Sequence, residues 1–273
     1  MTKHPDQAMT QSDNVTSPLI AFRNVGKQFI VKGEPLQAVH GIDLDVYEGE
    51  ILTLVGPSGC DKSTLLNMAA GLFAPTEGEV FYRGSQVQPY NPAVGYMTQS
   101  DHLLPWRDVI GNIAIPLEIK GLSKSEISRR VEELMETVGL GGFGKSYPNQ
   151  LSGGMRKRCA LARLLAYDPE TLLMDEPFAA LDALLRMRMQ IEIRDLCRRL
   201  NKTVMFVTHD LDEAVAIGDR CAVFTGRPGS IERIVDVLLA PDRNILHLRK
   251  DPDYRAITAD LWEVLAPSIE QEL

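Results

Sequence analysis

Cysteine is scarce in this chain of 273 residues: Cys60, Cys159, Cys197 and Cys221 are widely scattered, and no two make a C-x-x-C pair. That spacing offers neither a disulfide framework nor a zinc site, and it suits a reducing compartment. Long apolar runs are missing as well, since none approaches the ~18 residues needed to span a bilayer. The opening stretch, MTKHPDQAMTQSDNVTSP, has no apolar core of the kind that a signal peptide carries. Positive charge is in deficit. With 37 acidic and 29 basic residues the formal charge is −8, which argues against a protein that coats nucleic acid. There is no internal repeat. What remains, 44% hydrophobic and 24% charged residues, is ordinary for a globular protein, and the chain is long enough to bury a sizeable core.

Residues 1–18 are polar and bounded by Pro18, so they are expected to be a disordered tail. Strand patterns follow in LIAFRNV, QAVHGIDLDV and ILTLV (51–55), with a tight turn expected at YEGE before the last. STLLNMAAGL (63–72) places Leu65, Leu66, Met68, Ala69 and Leu72 on one helical face. Two more strands are expected at EVFYRG and AVGYMTQ. KSEISRRVEELMETVGL then reads as an amphipathic helix, apolar at Ile127, Val131, Leu134, Met135 and Val138. It falls in a helical insertion over about 100–165. After it, strands TLLMD, TVMFVTHD and CAVFT alternate with a long helix around 183–200, and DPDYRAITADLWEVL reads as a helix. Strands alternating with helices predict an α/β fold built on a parallel sheet.

GPSGCDKST, residues 56–64, stands between a strand and a helix and is one letter from a phosphate-binding loop. The pattern G-x-x-x-x-G-K-[ST] is met at Gly56, Lys62 and Ser63, but Asp61 replaces the second glycine. Such a turn aims consecutive backbone N–H groups at a polyphosphate, and the helix N-terminus adds partial positive charge. Gly56, Pro57, Ser58, Gly59, Cys60, Asp61, Lys62, Ser63 and Thr64 are therefore the expected nucleotide-binding residues. Lys62 would reach the β- and γ-phosphates, and the Ser63 hydroxyl would ligate Mg²⁺. TLLMDEP adds Asp175 at a strand end as a second magnesium ligand and Glu176 as a general base for water. By itself a D-E pair is more often a solvated turn. In LSGGMRKR, Ser152 can cap a helix and leave the N–H groups of Gly153 and Gly154 exposed, a second anion site or merely a capped basic helix.

Taken together, these segments resemble the ATP-binding subunit of ABC transporters over nearly the whole chain from Leu19. GPSGCDKST looks like Walker A, LLMDEP like Walker B with its glutamate, and LSGG like the family's signature. The resemblance implies a P-loop NTPase (ABC ATPase) with a parallel sheet core, an antiparallel β subdomain and an inserted helical subdomain. It implies an ATPase domain over 19–240 and a C-terminal helical extension over 241–273. Gln99 matches the Q-loop glutamine that contacts magnesium and water, Asp182 in AALD the D-loop, and His209 the switch histidine at the γ-phosphate. Phe29 matches the place of the aromatic that stacks on adenine. SDHLLPWRDVIGNIAIPLE, YPNQLSGGM and MDEPFAALDALLR look like the importer subgroup for nitrate, sulfonates, taurine and similar small anions. ATP and Mg²⁺ are the implied ligands. The implied partners are a second ATP-binding subunit, integral membrane permease subunits and, indirectly, an extracytoplasmic solute-binding protein. A short helix of each permease subunit would dock near Gln99 and the LLPW loop. The implied location is the cytoplasmic face of the cell membrane, held there by other proteins.

Asp61 raises an alternative. Aspartate tolerates left-handed backbone better than most residues. Its charge is harder to accommodate: a carboxylate ~4 Å from a phosphate oxygen costs about 4 kcal/mol at an effective dielectric near 20. Unopposed, that weakens binding roughly a thousandfold. Pairing with Lys62, turning to solvent or protonation would each offset it. A subunit gated by nucleotide with impaired hydrolysis is therefore the competing reading. Soluble ABC proteins of DNA repair or the ribosome fit less well, because a long coiled-coil insertion and a second ABC unit are both absent.

Overall fold

The computed structural model of the chain describes residues 17–270, so the tail expected over 1–18 lies, but for Ser17 and Pro18, outside the described residues. β1 (Ile20–Val31) and β2 (Glu34–Val46) form a hairpin closed by Lys32 and Gly33, both at positive φ. Such a two-residue turn matches the right-handed twist of the strands it joins. β3 (Ile51–Val55) follows, then α1 (Lys62–Ala69), β4 (Glu77–Tyr82), β5 (Ser85–Gln86) and β6 (Val94–Met97). Three helices come next: α2 (Val109–Ile119), α3 (Lys124–Thr137) and α4 (Gly153–Ala166). The chain returns through β7 (Thr171–Asp175), α5 (Ala183–Arg199), β8 (Thr203–Thr208), α6 (Leu211–Ile217), β9 (Arg220–Thr225) and β10 (Ser230–Asp236). It ends in α7 (Pro252–Glu270) after a short 3-10 turn at Ile245–Lys250.

Two sheets result. One is antiparallel in the order β2-β1-β4-β5; the other runs β10-β9-β3-β8-β7-β6, parallel except for β10. β3 is central and every one of its five residues is buried, which explains why ILTLV is apolar without alternation. The antiparallel sheet packs its inner face, with Ile20, Phe22, Ile42 and Leu44, against α1 and the parallel sheet. A second core lies where α2, α3 and α4 pack together and against α5 and β7. A third joins α6 and β9 to α7 through Tyr254, Leu261 and Leu265.

Several expectations shift in detail. α1 stops at Ala69, with Gly71 at φ 69°, so Leu72 leaves the helical face and is 59% exposed. On α3, Val131 and Met135 are buried while Ile127 and Leu134 are only partly so. That helix opens on a capping box in which the Ser123 hydroxyl and Glu126 satisfy each other's backbone N–H groups. α2 was hidden in the sequence by Gly111 and by Pro116, yet Pro116 falls in the last turn and Asp108 caps the first. α7 runs five residues beyond the expected helix, from Pro252 to Glu270.

Candidate functional site

Register brings three loops together. Val55 pairs with Thr208, and Asp175 with Val207, in neighbouring parallel strands. Gly56, Glu176 and His209 therefore leave the carboxyl ends of β3, β7 and β8 along one edge, where open α/β sheets form their ligand crevice.

The loop before α1 is shaped as a cradle. A Cβ on Gly56 would lie 2.5 Å from the backbone oxygen of Phe224, so only glycine lets the loop lean on β9. Lys62 is buried, and its ammonium donates to the carbonyl oxygens of Gly56 (2.9 Å) and Pro57 (2.8 Å) and approaches Cys60 Sγ at 3.3 Å. All three contacts lie within the loop, so the charge points into its concave side. Asp61 occupies the left-handed region at φ 60°, ψ 30°, and its side chain caps none of the first N–H groups of α1. Of those groups Thr64 N–H donates to Asp61 O at 3.0 Å, and the others are oriented for an anion. Burial raises the Asp61 carboxyl above the usual range, while the charges of Arg227 and Lys62 oppose that rise.

Beside the cradle, the Ser63 hydroxyl donates to Asp175 Oδ1 at 2.7 Å. Burial pushes the Asp175 carboxyl up, helped by the neighbouring charge of Glu176 and opposed by Ser63, Lys62 and Tyr96. Tyr96 stands close by: burial, helped by the charge of Asp175, drives its pKa well up. A hydroxyl and a carboxylate within contact of each other are the hard oxygen donors that magnesium takes from protein, the rest coming from phosphate and water. The residues present fit that ion.

Glu176 stands at φ 44°, uncommon for a residue with a side chain, and its N–H donates to Val207 O at 3.0 Å. Its Oε2 lies 3.2 Å from His209 Nδ1. Behind the pair, buried Glu213 accepts from the hydroxyl of Thr208 and from Gln190 Nε2 at 3.0 Å. That network fixes the backbone on which His209 is carried. From the far side, the Tyr254 hydroxyl of α7 donates to Asp212 at 2.7 Å, one turn past His209.

Other expected residues stand apart. Gln99 lies two residues beyond β6, exposed, its carbonyl accepting from Lys157, and its side chain bonds neither Ser63 nor Asp175. Phe29 packs edge-on against Phe73, with ring centroids 5.5 Å apart and Lys27 Nζ 5.4 Å from its centre. Phe73 lies four residues beyond the carboxyl end of α1, the end away from the cradle. Ser152 accepts from Met155 N–H at 3.3 Å and caps α4, as expected. Its neighbours are not the cradle but the start of α5: a Cβ on Gly154 would meet Leu185 at 2.6 Å, and one on Gly153 would meet Leu181 at 3.4 Å. Asp182 caps α5 by accepting from Leu184 (3.1 Å) and Leu185 (3.0 Å) N–H groups. Sequence reasoning missed Tyr96, Glu213 and Arg227. AVGYMTQ shows the tyrosine but not that it lies near Asp175 once folded, and nothing local marks the other two.

Flanking Gln99, Thr98 and Ser100 line an open groove of about 540 Å³, with exposed Leu72, Tyr90 and Ile119 on its walls. Among the described residues, no helix is long and apolar enough to cross a membrane.

Comparison with known proteins agrees with this geometry. The sequence profile of the ABC transporter family matches residues 39–179. An uncharacterized ABC transporter ATP-binding protein of Methanocaldococcus jannaschii, MJ0412, is 48% identical over 82% of this chain and 84% of its own. The aliphatic sulfonates import ATP-binding protein SsuB of Bacillus subtilis is 42% identical over 85% of this chain and 88% of its own. Among solved structures, the dimeric post-hydrolysis state of the ATP-binding cassette MJ0796 bound to ADP and Pi superposes with a TM-score of 0.71. It is 31% identical, covering 81% of this chain and all of that one.

Proposed function

Because this chain belongs to the ABC transporter family as an ATP-hydrolysing subunit, we propose that it drives an importer for a small anion such as nitrate, a sulfonate or taurine. The sulfonate importer subunit of Bacillus subtilis, 42% identical, supports the solute class. The observation that carries the reading is the convergence of the Lys62 cradle, the Ser63–Asp175 contact and the Glu176–His209 pair at one sheet edge.

In this reading the triphosphate enters the cradle and its oxygens take over the contacts that Lys62 now makes with Gly56 and Pro57. Ser63 and Asp175, with Gln99 joining on closure, would hold magnesium, which would supply positive charge to neutralise the phosphates. Glu176 polarises the attacking water, and His209, oriented by Glu176, reaches the γ-phosphate. Ser152, Gly153 and Gly154 bind the nucleotide held by a second copy of the chain, with Asp182 at the same seam. Phe29 is proposed for adenine only if its ring leaves Phe73 when nucleotide binds. The groove beside Gln99 receives a short helix of the permease, which places the subunit at the cytoplasmic face of the membrane and couples dimer closure to transport. An extracytoplasmic binding protein would deliver the solute. Residues 19–240 form the ATPase domain, with its helical part at about 100–165, and residues 241–273 are an extension that braces the His209 loop.

A second reading, a nucleotide-gated subunit with weak hydrolysis, is favoured by one observation: the half-buried Asp61 carboxylate in the cradle. Phosphate release by the parent chain, measured beside Asp61→Gly with the permease in lipid, decides between them. Comparable solute-stimulated turnover supports the ATPase. Dimer formation with MgATP but no turnover, restored by Asp61→Gly, supports the gate. Absence of MgATP binding in both would sink either reading.

A further inference from the structure

Asp61 puts a negative charge where phosphate must bind, and Lys62, the nearest cation in sequence, is committed to the carbonyls on the other side of the loop. A third residue stands close. Arg227, in the turn between β9 and β10, donates from Nε to the Gly59 carbonyl at 2.6 Å, across 168 positions of sequence. A Cβ on Gly59 would lie 2.6 Å from the same guanidinium, which is therefore braced against the loop two residues before Asp61. The turn that carries it is pinned to β2 at Gly229, whose N–H donates to Ala38 O at 2.7 Å and whose carbonyl accepts from His40 N–H at 3.0 Å. A side chain on Gly229 would strike the Cys60 carbonyl at 2.2 Å, so turn and loop are in backbone contact. Among the described residues, no carboxylate lies within 4.0 Å of the Arg227 guanidinium as an ion-pair partner. Its charge lies against the Gly59 edge of the loop without a dedicated counterion.

We infer that Arg227 is the charge-compensating residue that lets this phosphate loop carry an aspartate and still bind a nucleoside di- or triphosphate. The guanidinium, seated on the Gly59 carbonyl, offsets the field of Asp61 at the phosphate subsite, so that Lys62 need not pair with Asp61 when phosphate oxygens replace its loop carbonyls. The inference rests on the ATP-binding reading above. A plain structural latch makes a different prediction: it would hold the loop equally well whatever stands at position 61.

The test is a double-mutant cycle on the full chain, read by calorimetric titration of MgADP, with melting temperature recorded for every protein. Arg227→Gln should weaken MgADP binding about tenfold in the parent but only about twofold in the Asp61→Gly background. Arg227→Lys, which keeps the charge, should retain most of the parent's affinity. Equal losses in the two backgrounds overturn the inference and leave Arg227 as a latch. So does a lysine variant as weak as the glutamine one while both melt like the parent. Were none of the proteins to bind MgADP, Asp61→Gly included, both the inference and the nucleotide reading would fall; binding with additive effects sinks the inference alone.

Discussion

The hydroxyl of Ser63 donates to Asp175 Oδ1 across 2.7 Å, although 112 positions separate the two residues. The contact joins the first turn of α1 to the end of β7 and sets two hard oxygen donors side by side. Ser63→Ala removes one of them and leaves the partly buried carboxylate without its donor. Turnover is expected to fall about a hundredfold or more. Phosphate release measured across a magnesium titration checks it, and the half-saturating magnesium concentration should rise with the loss. An unchanged magnesium dependence would refute the assignment of the ion to this pair.

Glu176→Gln keeps the shape of the side chain and removes the base. Hydrolysis should drop by about 10²–10⁴-fold, the usual contribution of a positioned base. Nucleotide binding should survive, so that MgATP traps a dimer. Size-exclusion chromatography with and without MgATP reads this directly. Rapid hydrolysis by the variant would remove Glu176 from the chemistry.

Asp61→Gly separates charge from backbone geometry. Position 61 holds φ 60°, a conformation glycine takes freely. The strain it relieves is largely offset by the greater freedom of glycine in the unfolded chain, each of order 1 kcal/mol. The melting temperature should thus move by no more than about 2–4 °C. MgADP affinity should rise about tenfold or more, because a carboxylate leaves the phosphate subsite. Equal affinities would show that the carboxylate is fully neutralised where it stands.

Buried Glu213 gives a pH test. Burial raises its carboxyl above 4.5, against the pull of Thr208 and Gln190. The folded state thus favours the neutral acid, and the contribution of this group to stability is lost as pH rises above 4.5 through its folded value. Glu213→Gln, which can still bond Thr208 and Gln190, should be more resistant to urea than the parent at neutral pH. That advantage should fade as pH falls toward 4.5. Urea midpoints at several pH values check the sign; an advantage that grows on acidification would reverse the argument.

Much of this site was legible because its signals are local. Gly56, Lys62 and Ser63 sit within eight residues, between a strand and a helix that both form where expected, and Asp175 and Glu176 share a strand end. The helix cap at Ser152 was equally plain, since a cap needs only its next turn. What escaped depends on distant contacts. Arg227 meets the loop through the β9–β10 turn, and Glu213 meets Thr208 only once β8 and α6 are folded. Phe29, matched in sequence to an adenine contact, meets Phe73, 44 positions later, in an edge-to-face pair that its local sequence does not show. α2 was obscured by Pro116, which lies inside the helix and gives up the N–H that would bond the Asn112 carbonyl, a cost the buried packing of Ile113 and Leu117 offsets.

The fit of Gly154 against Leu185 leaves no slack between the beginnings of α4 and α5. Asp182, the cap of α5, stands six residues downstream of Glu176. A load placed on the serine-capped end of α4 would therefore bear first on α5, and through its cap on the segment that carries Glu176, as a mechanical lever.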